Sequence, residues 1–318
     1  MPLILVTEPI ADVGLRLLAD FADVRKLWSE GRRFTDDDLR QADALIVRLV
    51  PVTASLMEKA AKLKVIGRHG AGVDTIDLPA ATQKGIRVVY TPCANANAVA
   101  EHTLNLVLSL ARHTVAGDHA VRQSGFTLRD TLIGLELRNK TLGIVGLGAI
   151  GLRVADIGHH GFGMKVVGYD PYAKLPSSHS FVQSTESLRQ LLETSDVVSL
   201  HAPLTPGTQH MINAESLHWM KRSALLVNTS RGAVIDTVAL AEALGSGELG
   251  GAALDVFEKE PLAAEHPLQS AQRVLFSPHL AGSTREAREA MAQLVARQVV
   301  QVLKGEPPEH LANPQVDQ

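Results

Sequence analysis

Thr141-Leu142-Gly143-Ile144-Val145-Gly146-Leu147-Gly148-Ala149-Ile150-Gly151 is the stretch from which the fold is read. An apolar strand-like run enters a Gly146-x-Gly148-x-x-Gly151 turn, and a helical pattern leaves it. With 25 glycines in 318 residues, a bare glycine triplet carries little weight. The strand before it and the helix after it give it meaning. Gly146 permits a tight turn, Gly148 lets a pyrophosphate approach the backbone, and Gly151 lets the helix pack close to the strand. Ala149 and Ile150 open the helix, where free amides and the helix dipole meet phosphate charge. The next apolar run, Met164–Tyr169, ends at Asp170, 19 residues past Gly151. A carboxylate there accepts from both ribose hydroxyls and repels a 2′-phosphate. The first cation after it is Lys174, so NAD is expected over NADP. Asp170-Pro171 could instead only open a turn.

Working outward, strand-like and helix-like patterns alternate along most of the chain. Before the glycine turn the strands are Leu3–Thr7, Val24–Trp28, Ala44–Val50, Lys64–Gly67 and Arg87–Tyr90. Helical stretches include Asp36–Ala42 behind Thr35 and Ala54–Ala61 behind Thr53, both with good N-cap residues. One long helix is expected over Ala98–Gln123, ended at Ser124-Gly125, with loop over Phe126–Asn139. After the turn, strands fall at Lys165–Tyr169, Val197–Leu200, Ala224–Asn228, Ala252–Val256 and Val274–Phe276. Helices fall at Ala149–Gly161, Ser187–Thr194, Ala214–Met220, Val238–Leu244 and Thr284–Leu303. Alternation of this kind implies βαβ units and parallel sheets. The fold class is α/β, with two doubly wound parallel-sheet domains, which agrees with a prior of ~150 residues per domain.

Composition narrows the function. Net charge is −3, which argues against binding nucleic acid through a general basic field, and 4% aromatics leave few stacking platforms. No apolar run reaches ~18 residues, so no membrane span is expected. The start, Met1-Pro2-Leu3-Ile4-Leu5-Val6, reads as a first strand and not as a signal peptide. The single cysteine, Cys93, excludes an internal disulfide and a multi-cysteine metal site, and fits a reducing cytoplasm. Cys93 itself reads as packing. No metal site is expected: Glu101-His102 is not part of an HExxH, and His159 and His160 face apart, about 100° from one another on a helix.

Three later segments bring chemistry to strand ends, where open α/β sheets bind ligands. Leu225–Asn228 leads to Arg231-Gly232, and a guanidinium there can clamp a carboxylate bidentately. A surface arginine, or one paired with Asp236, is the other reading. Leu254-Asp255-Val256-Phe257-Glu258-Lys259-Glu260-Pro261 sets three acids after a buried strand, with Glu258 read as a solvated loop acid. Ser277-Pro278-His279-Leu280-Ala281-Gly282 places a histidine in a loop fixed by proline and glycine. In the first half, Arg68-His69-Gly70-Ala71-Gly72 follows a strand. Its glycines can present consecutive amides to a carboxylate.

With these residues in hand, the chain resembles the NAD-dependent D-isomer-specific 2-hydroxyacid dehydrogenases, most of all the short phosphoglycerate dehydrogenases and hydroxypyruvate/glyoxylate reductases. The resemblance runs through Lys64–Asp77, the glycine turn, Asn228–Gly232, Asp255–Pro261 and Ser277–Thr284. It implies a catalytic set of Arg231, Glu260 and His279. His279 would be the general acid in reduction and the base in oxidation. Glu260 would bond its far ring nitrogen and favour the imidazolium. Arg231 would hold the substrate carboxylate and polarise the keto oxygen. The resemblance further assigns His201, Ala202, Pro203, Thr208, Thr229, Ser230, Asp255 and Gly282 to the cofactor. It gives Gly70, Ala71 and Gly72 to the substrate carboxylate, and Arg48 and Arg68 to a distal phosphate or carboxylate. His69 stands where the family often has a small residue.

The resemblance implies a Rossmann NAD domain inserted into a flavodoxin-like substrate domain. The expected bounds are 1–98 with 288–318 for the substrate domain and 99–287 for the NAD domain. It implies a homodimer acting on a small 2-hydroxy or 2-keto acid, 3-phosphoglycerate or hydroxypyruvate/glyoxylate, with no nucleic-acid or membrane partner. At 318 residues no further C-terminal regulatory domain is expected. The alternative is an NAD(H)-sensing binding protein, corepressor-like, on the same fold.

Overall fold

The computed structural model describes Met1–Asp317, and Gln318 lies outside the described residues. The chain divides into two compact units. One comprises Met1–Asn95 with the stretch from Gly282 onward, and the other is Ala96–Ala281.

The first unit runs β1 (Leu3–Val6), α1 (Asp12–Ala19), β2 (Asp23–Lys26), α2 (Asp36–Gln41), β3 (Ala44–Val47), α3 (Ala54–Glu58), β4 (Val65–Arg68), α4 (Leu78–Gln83), β5 (Arg87–Val89). Its sheet has the order β2-β1-β3-β4-β5, all parallel. This is the flavodoxin-like order, with its switch point between β1 and β3. β1 and β3 are buried throughout, as continuous apolar runs covered on both faces must be.

The second unit opens with α5 (Ala96–Ala111) and α6 (Thr114–Ser124). It continues through β6 (Thr141–Val145), α7 (Ala149–Asp156), β7 (Lys165–Tyr169), β8 (Val182–Ser184), α8 (Leu188–Thr194) and β9 (Val197–Leu200). It closes with α9 (Ala214–His218), β10 (Leu225–Asn228), α10 (Thr237–Gly245), β11 (Gly251–Leu254) and β12 (Val274–Phe276). The sheet order is β12-β11-β10-β9-β6-β7-β8, a Rossmann arrangement whose switch point lies between β6 and β9. Ile144, Val154 and Val227 pack one core, and Val198, Leu226 and Leu240 belong to the other.

The chain then returns to the first unit as α11 (Arg285–Lys304), capped by the Thr284 side chain and ended by Gly305 in the left-handed region. Val295 and Val299 lie on Gly67 of β4 so closely that a Cβ there would sit 2.8 Å from each. Gly14 of α1 gives the same close approach to Ala292. A Cβ on Gly282, where the chain re-enters this unit, would lie 2.9 Å from the Asn95 side-chain nitrogen.

Several elements differ from the sequence reading. The long helix is two, because His113 takes φ +53° between α5 and α6. The Ala111 carbonyl is met by the Leu135 amide at 2.7 Å, so a returning loop takes the place of the next helical turn. The strand expected over Val24–Trp28 stops at Lys26 and tightens into a 3-10 turn, Leu27–Glu30. That expected over Ala44–Val50 stops at Val47, because the Glu8 carboxylate takes the Arg48 amide at 2.6 Å and the Leu49 amide at 2.7 Å. The helix begun at Ala149 ends at Asp156 and widens over Ile157–Gly161. There His159 and His160 do not face apart. Their rings lie 4.7 Å from each other, and both pack on Phe181. Cys93 is exposed at a turn with φ +64°, not packed. β8 is a short strand at Val182–Ser184 that the sequence reading does not assign.

Candidate active site

The glycine turn sits at the switch point of the second unit. A Cβ on Gly151 would lie 2.0 Å from the Gly146 carbonyl oxygen, so only glycine fits there. Gly146 takes φ +94°, and a Cβ on it would strike the backbone at His201. Gly148 differs: a Cβ there would meet nothing within 4 Å. It leads α7 with no side-chain cap, and Gly148 and Ala149 are exposed while Ile150 is partly so. Two glycines are thus filled by protein and one faces open space beside uncapped helix amides. That is the cradle a pyrophosphate needs, so these residues fit a dinucleotide.

Asp170 closes the end of β7. One carboxylate oxygen accepts from the Leu147 amide at 2.9 Å. The other accepts from the Tyr172 and Ala173 amides at 2.9 and 3.0 Å. The acid is therefore both a turn former and a carboxylate held beside the glycine turn. Across the switch point, His201 follows β9, with its Nε2 2.8 Å from the Ser199 hydroxyl. Burial pushes its pKa down to about 3, so the ring stays neutral. Ala202 and Pro203 continue this segment, and Thr208 donates to the Pro203 carbonyl at 2.6 Å.

β10 ends in a turn organised by Asn228, which is fully buried. Its side-chain oxygen accepts from the Ser230 amide and hydroxyl, and its nitrogen donates to the Arg231 carbonyl at 2.9 Å. Thr229 meets Thr103 of α5 at 2.9 Å. Arg231 donates to the Ser230 carbonyl at 2.7 Å.

Asp255, at the end of β11, is fully buried. Its carboxylate accepts from the Ser277 hydroxyl and from the Leu280 and Ala281 amides, the latter two at 2.8 and 2.9 Å. His102 stands behind Ser277 at 2.9 Å. Burial opposes ionisation here. Hydrogen bonds from His102, Ser277, Ala281 and Leu280 outweigh it and hold Asp255 below the usual carboxylate range. Both oxygens are thus spent on the loop that carries His279.

That loop puts His279 at φ +54°, with its amide bonded to the Asp255 and Ser277 carbonyls at 2.9 and 3.0 Å. A non-glycine residue persists in this region only when its surroundings fix it. The ring is exposed, and Nδ1 lies 2.8 Å from Glu260 Oε2. Glu260 Oε1 accepts from the Phe257 amide at 3.1 Å. A histidine oriented by a carboxylate on one nitrogen has its other nitrogen left for proton transfer.

In the first unit, His69 follows β4 and is 3% exposed. Neither ring nitrogen has a hydrogen-bond partner of good geometry, and the backbone at Arg288 faces the ring. Burial, with help from the Arg48 and Arg68 charges, lowers its pKa to about 4. Arg68 braces its own loop, donating to the Gly72 and His69 carbonyls, both at 2.9 Å. The Gly70 amide is already taken, by the Thr91 hydroxyl at 3.0 Å and the Arg68 carbonyl. Of the expected amide nest, Ala71 and Gly72 are therefore the donors left for a ligand. Arg48 follows β3. Burial and the nearby Arg288 charge depress its pKa against the pull of Glu8. Gly282 packs against Asn95 in this unit.

The chain matches a known family and several known proteins. The family described as "D-isomer specific 2-hydroxyacid dehydrogenase, NAD binding domain" matches residues 104–281. A D-3-phosphoglycerate dehydrogenase of Methanocaldococcus jannaschii is 41% identical over 312 residues, which are 98% of this chain but 59% of that protein. The chain thus spans little more than half of that relative's length. A glyoxylate reductase of Thermofilum pendens is 42% identical over 325 residues, covering 99% of this chain and 95% of the other. Among solved structures, a D-lactate dehydrogenase of Aquifex aeolicus, complexed with NAD and lactic acid, superposes with a TM-score of 0.86. It is 31% identical, over 98% of this chain and 99% of that one. By its doubly wound units, its glycine cradle and these matches, the chain belongs to the D-isomer-specific 2-hydroxyacid dehydrogenases, with an NAD-binding domain.

Proposed function

We propose that the chain interconverts a small 2-keto acid and its D-2-hydroxy acid, with 3-phosphoglycerate or hydroxypyruvate/glyoxylate as the substrate pair. The observation that carries this reading is the 2.8 Å pairing of Glu260 with His279. When bound, the nicotinamide exchanges hydride with C2 of the acid. His279 gives its proton to the forming alkoxide in reduction and takes it back in oxidation. Glu260 keeps the far ring nitrogen occupied, so that the proton lies on a ring aimed by the loop. Arg231 holds the carboxylate and draws electron density toward the keto oxygen. The Ala71 and Gly72 amides are donors suited to a substrate carboxylate, and Arg48 and Arg68 are the first unit's cations suited to a distal phosphate or carboxylate. Asp255 supports the cofactor side through the loop it anchors.

The chain also fits a homodimer. Val115 and Val121 of α6, with Phe126, Leu128 and Ile133 beyond it, are exposed apolar residues. α5, by contrast, is core: Leu104, Val107 and Leu110 are buried. A surface of this kind is expected to be covered by a second copy. One exposed cysteine suits a reducing cytoplasm.

The test is NADH oxidation with 3-phosphohydroxypyruvate, hydroxypyruvate and glyoxylate. Turnover of at least one supports the reading. Tight NADH binding without turnover of any 2-keto acid would replace it with that of an NAD(H) sensor.

A further inference from the structure

Glu258 reads from sequence as a solvated loop acid, and the structure gives it a different place. Its Oε1 accepts from the Thr237 amide at 3.1 Å and from the Thr237 hydroxyl at 2.6 Å. Its Oε2 lies 3.0 Å from His210 Nε2. The Thr237 hydroxyl meets His266 Nε2 at 3.1 Å. The Glu258 side chain keeps 34% exposure, but it reaches Thr237, which keeps 3%. Burial opposes ionisation of this carboxyl. The Thr237 and His210 hydrogen bonds prevail and hold it below the usual carboxylate range.

Three chain segments meet at this carboxylate. Thr237 opens α10, shortly after Arg231. His210 belongs to a turn that pairs with the same stretch, through its amide to the Ala233 carbonyl at 2.8 Å and the Ile212 amide to the Val234 carbonyl at 3.1 Å. Glu258 itself lies two residues before Glu260. Gly232 adds a second lock. A Cβ there would sit 1.8 Å from the Phe257 carbonyl carbon, so the backbone after Arg231 lies flush on the loop that leads to Glu260.

We propose that Glu258 is a positioning residue: by tying residues 257–261 to Thr237 and His210, it fixes Glu260 against His279 and seats that loop on the Arg231 turn. It touches no reacting atom. The inference rests on Glu260 and His279 acting as the proton-transfer pair. A displacement of about 1 Å in such a pair costs on the order of 10²-fold in rate, so an anchor two residues away carries weight.

The experiment compares Glu258→Ala, Glu258→Gln and Thr237→Val in the full chain. Glutamine keeps an oxygen for Thr237 and a donor for a neutral His210, so it should retain most activity. Glu258→Ala should lower kcat about tenfold or more while KM for the keto acid changes less than about threefold. Its kcat–pH profile should be displaced in the same direction as that of Glu260→Ala. Thr237→Val should cost about threefold, and adding it to Glu258→Ala should cost nothing further, because both break one link. In the ligand-free protein, the His279 ring resonances should move in Glu258→Ala as they move in Glu260→Ala. A folded Glu258→Ala with the wild-type kcat, pH profile and His279 resonances would overturn the inference, whatever its Tm. If Glu258→Ala does not fold, Thr237→Val decides: His279 resonances that move as in Glu260→Ala support the link, and wild-type resonances and kcat overturn it. If the wild type turns over no 2-keto acid, the proposed function fails, and the His279 resonances still test this link.

Discussion

Glu260 Oε2 and His279 Nδ1 lie 2.8 Å apart, across 19 residues of chain and from opposite sides of β12 in sequence. The pair is local in space only because parallel strands β11 and β12 release their chains at the same carboxyl end of the sheet. Each member is held by its own backbone: Glu260 by the Phe257 amide, His279 by the Asp255 and Ser277 carbonyls. Replacing His279 by alanine should lower kcat by about 10² or more with NADH binding retained. Steady-state kinetics paired with NADH titration checks this, and an unchanged kcat would remove His279 from the mechanism.

Arg231 is expected to be intolerant of lysine. A guanidinium offers two parallel donors to a carboxylate, and an ammonium is a point charge. Arg231→Lys should lose about 10²-fold in kcat/KM for the keto acid, a cost on the scale of a buried charge-assisted pair. Near-normal kcat/KM in that variant would argue against the clamp.

Asp170 bears on cofactor choice. Its carboxylate stands at the strand end beside the glycine turn, fixed by three backbone amides. Asp170→Ala should weaken discrimination against NADPH by about tenfold or more, since a like charge no longer opposes the 2′-phosphate. It should also loosen the turn at Tyr172. Parallel NADH and NADPH titrations measure the first effect, and an unchanged ratio would refute it.

His69 makes acid costly. Its folded pKa is about 4, well below the value of a free imidazole. The unfolded chain therefore takes up a proton between about pH 6.5 and pH 4 that the folded one refuses. Stability from this group is complete above the unfolded pKa and is lost as pH falls toward the folded one. Between pH 7 and pH 5 the loss should be about 2 kcal/mol, and His69→Ala should remove that share of the pH dependence. Urea melts of both proteins at the two pH values give the comparison. His201, lowered to about 3 by burial, should add to the remaining slope.

Much of this was legible in the sequence because it is written in local terms. β7, β9 and β12 fall where the apolar runs place them, and Thr35, Thr53 and Thr284 cap the helices they precede. The glycine cradle follows from three glycines whose roles are steric. What escaped depends on partners distant in sequence. The break at His113 becomes visible only once Leu135 is seen to take the Ala111 carbonyl. Gly70 looks like a free amide until Thr91 is placed beside it. Glu258 looks solvated until Thr237 and His210 converge on it. A signal did exist for Glu258: an acid two residues before a candidate catalytic acid, with a threonine opening the helix after the arginine turn. A single sequence does not pair them.

The neighbourhood of Asn95 and Gly282 has an engineering consequence. The 186-residue stretch between them leaves the first unit and re-enters it where the two cut ends already touch. Modular grafting therefore needs no redesign of the host: a short glycine-serine bridge from Asn95 to Gly282 should close the flavodoxin-like unit by itself. If that unit folds so, the excised stretch should be exchangeable as one piece.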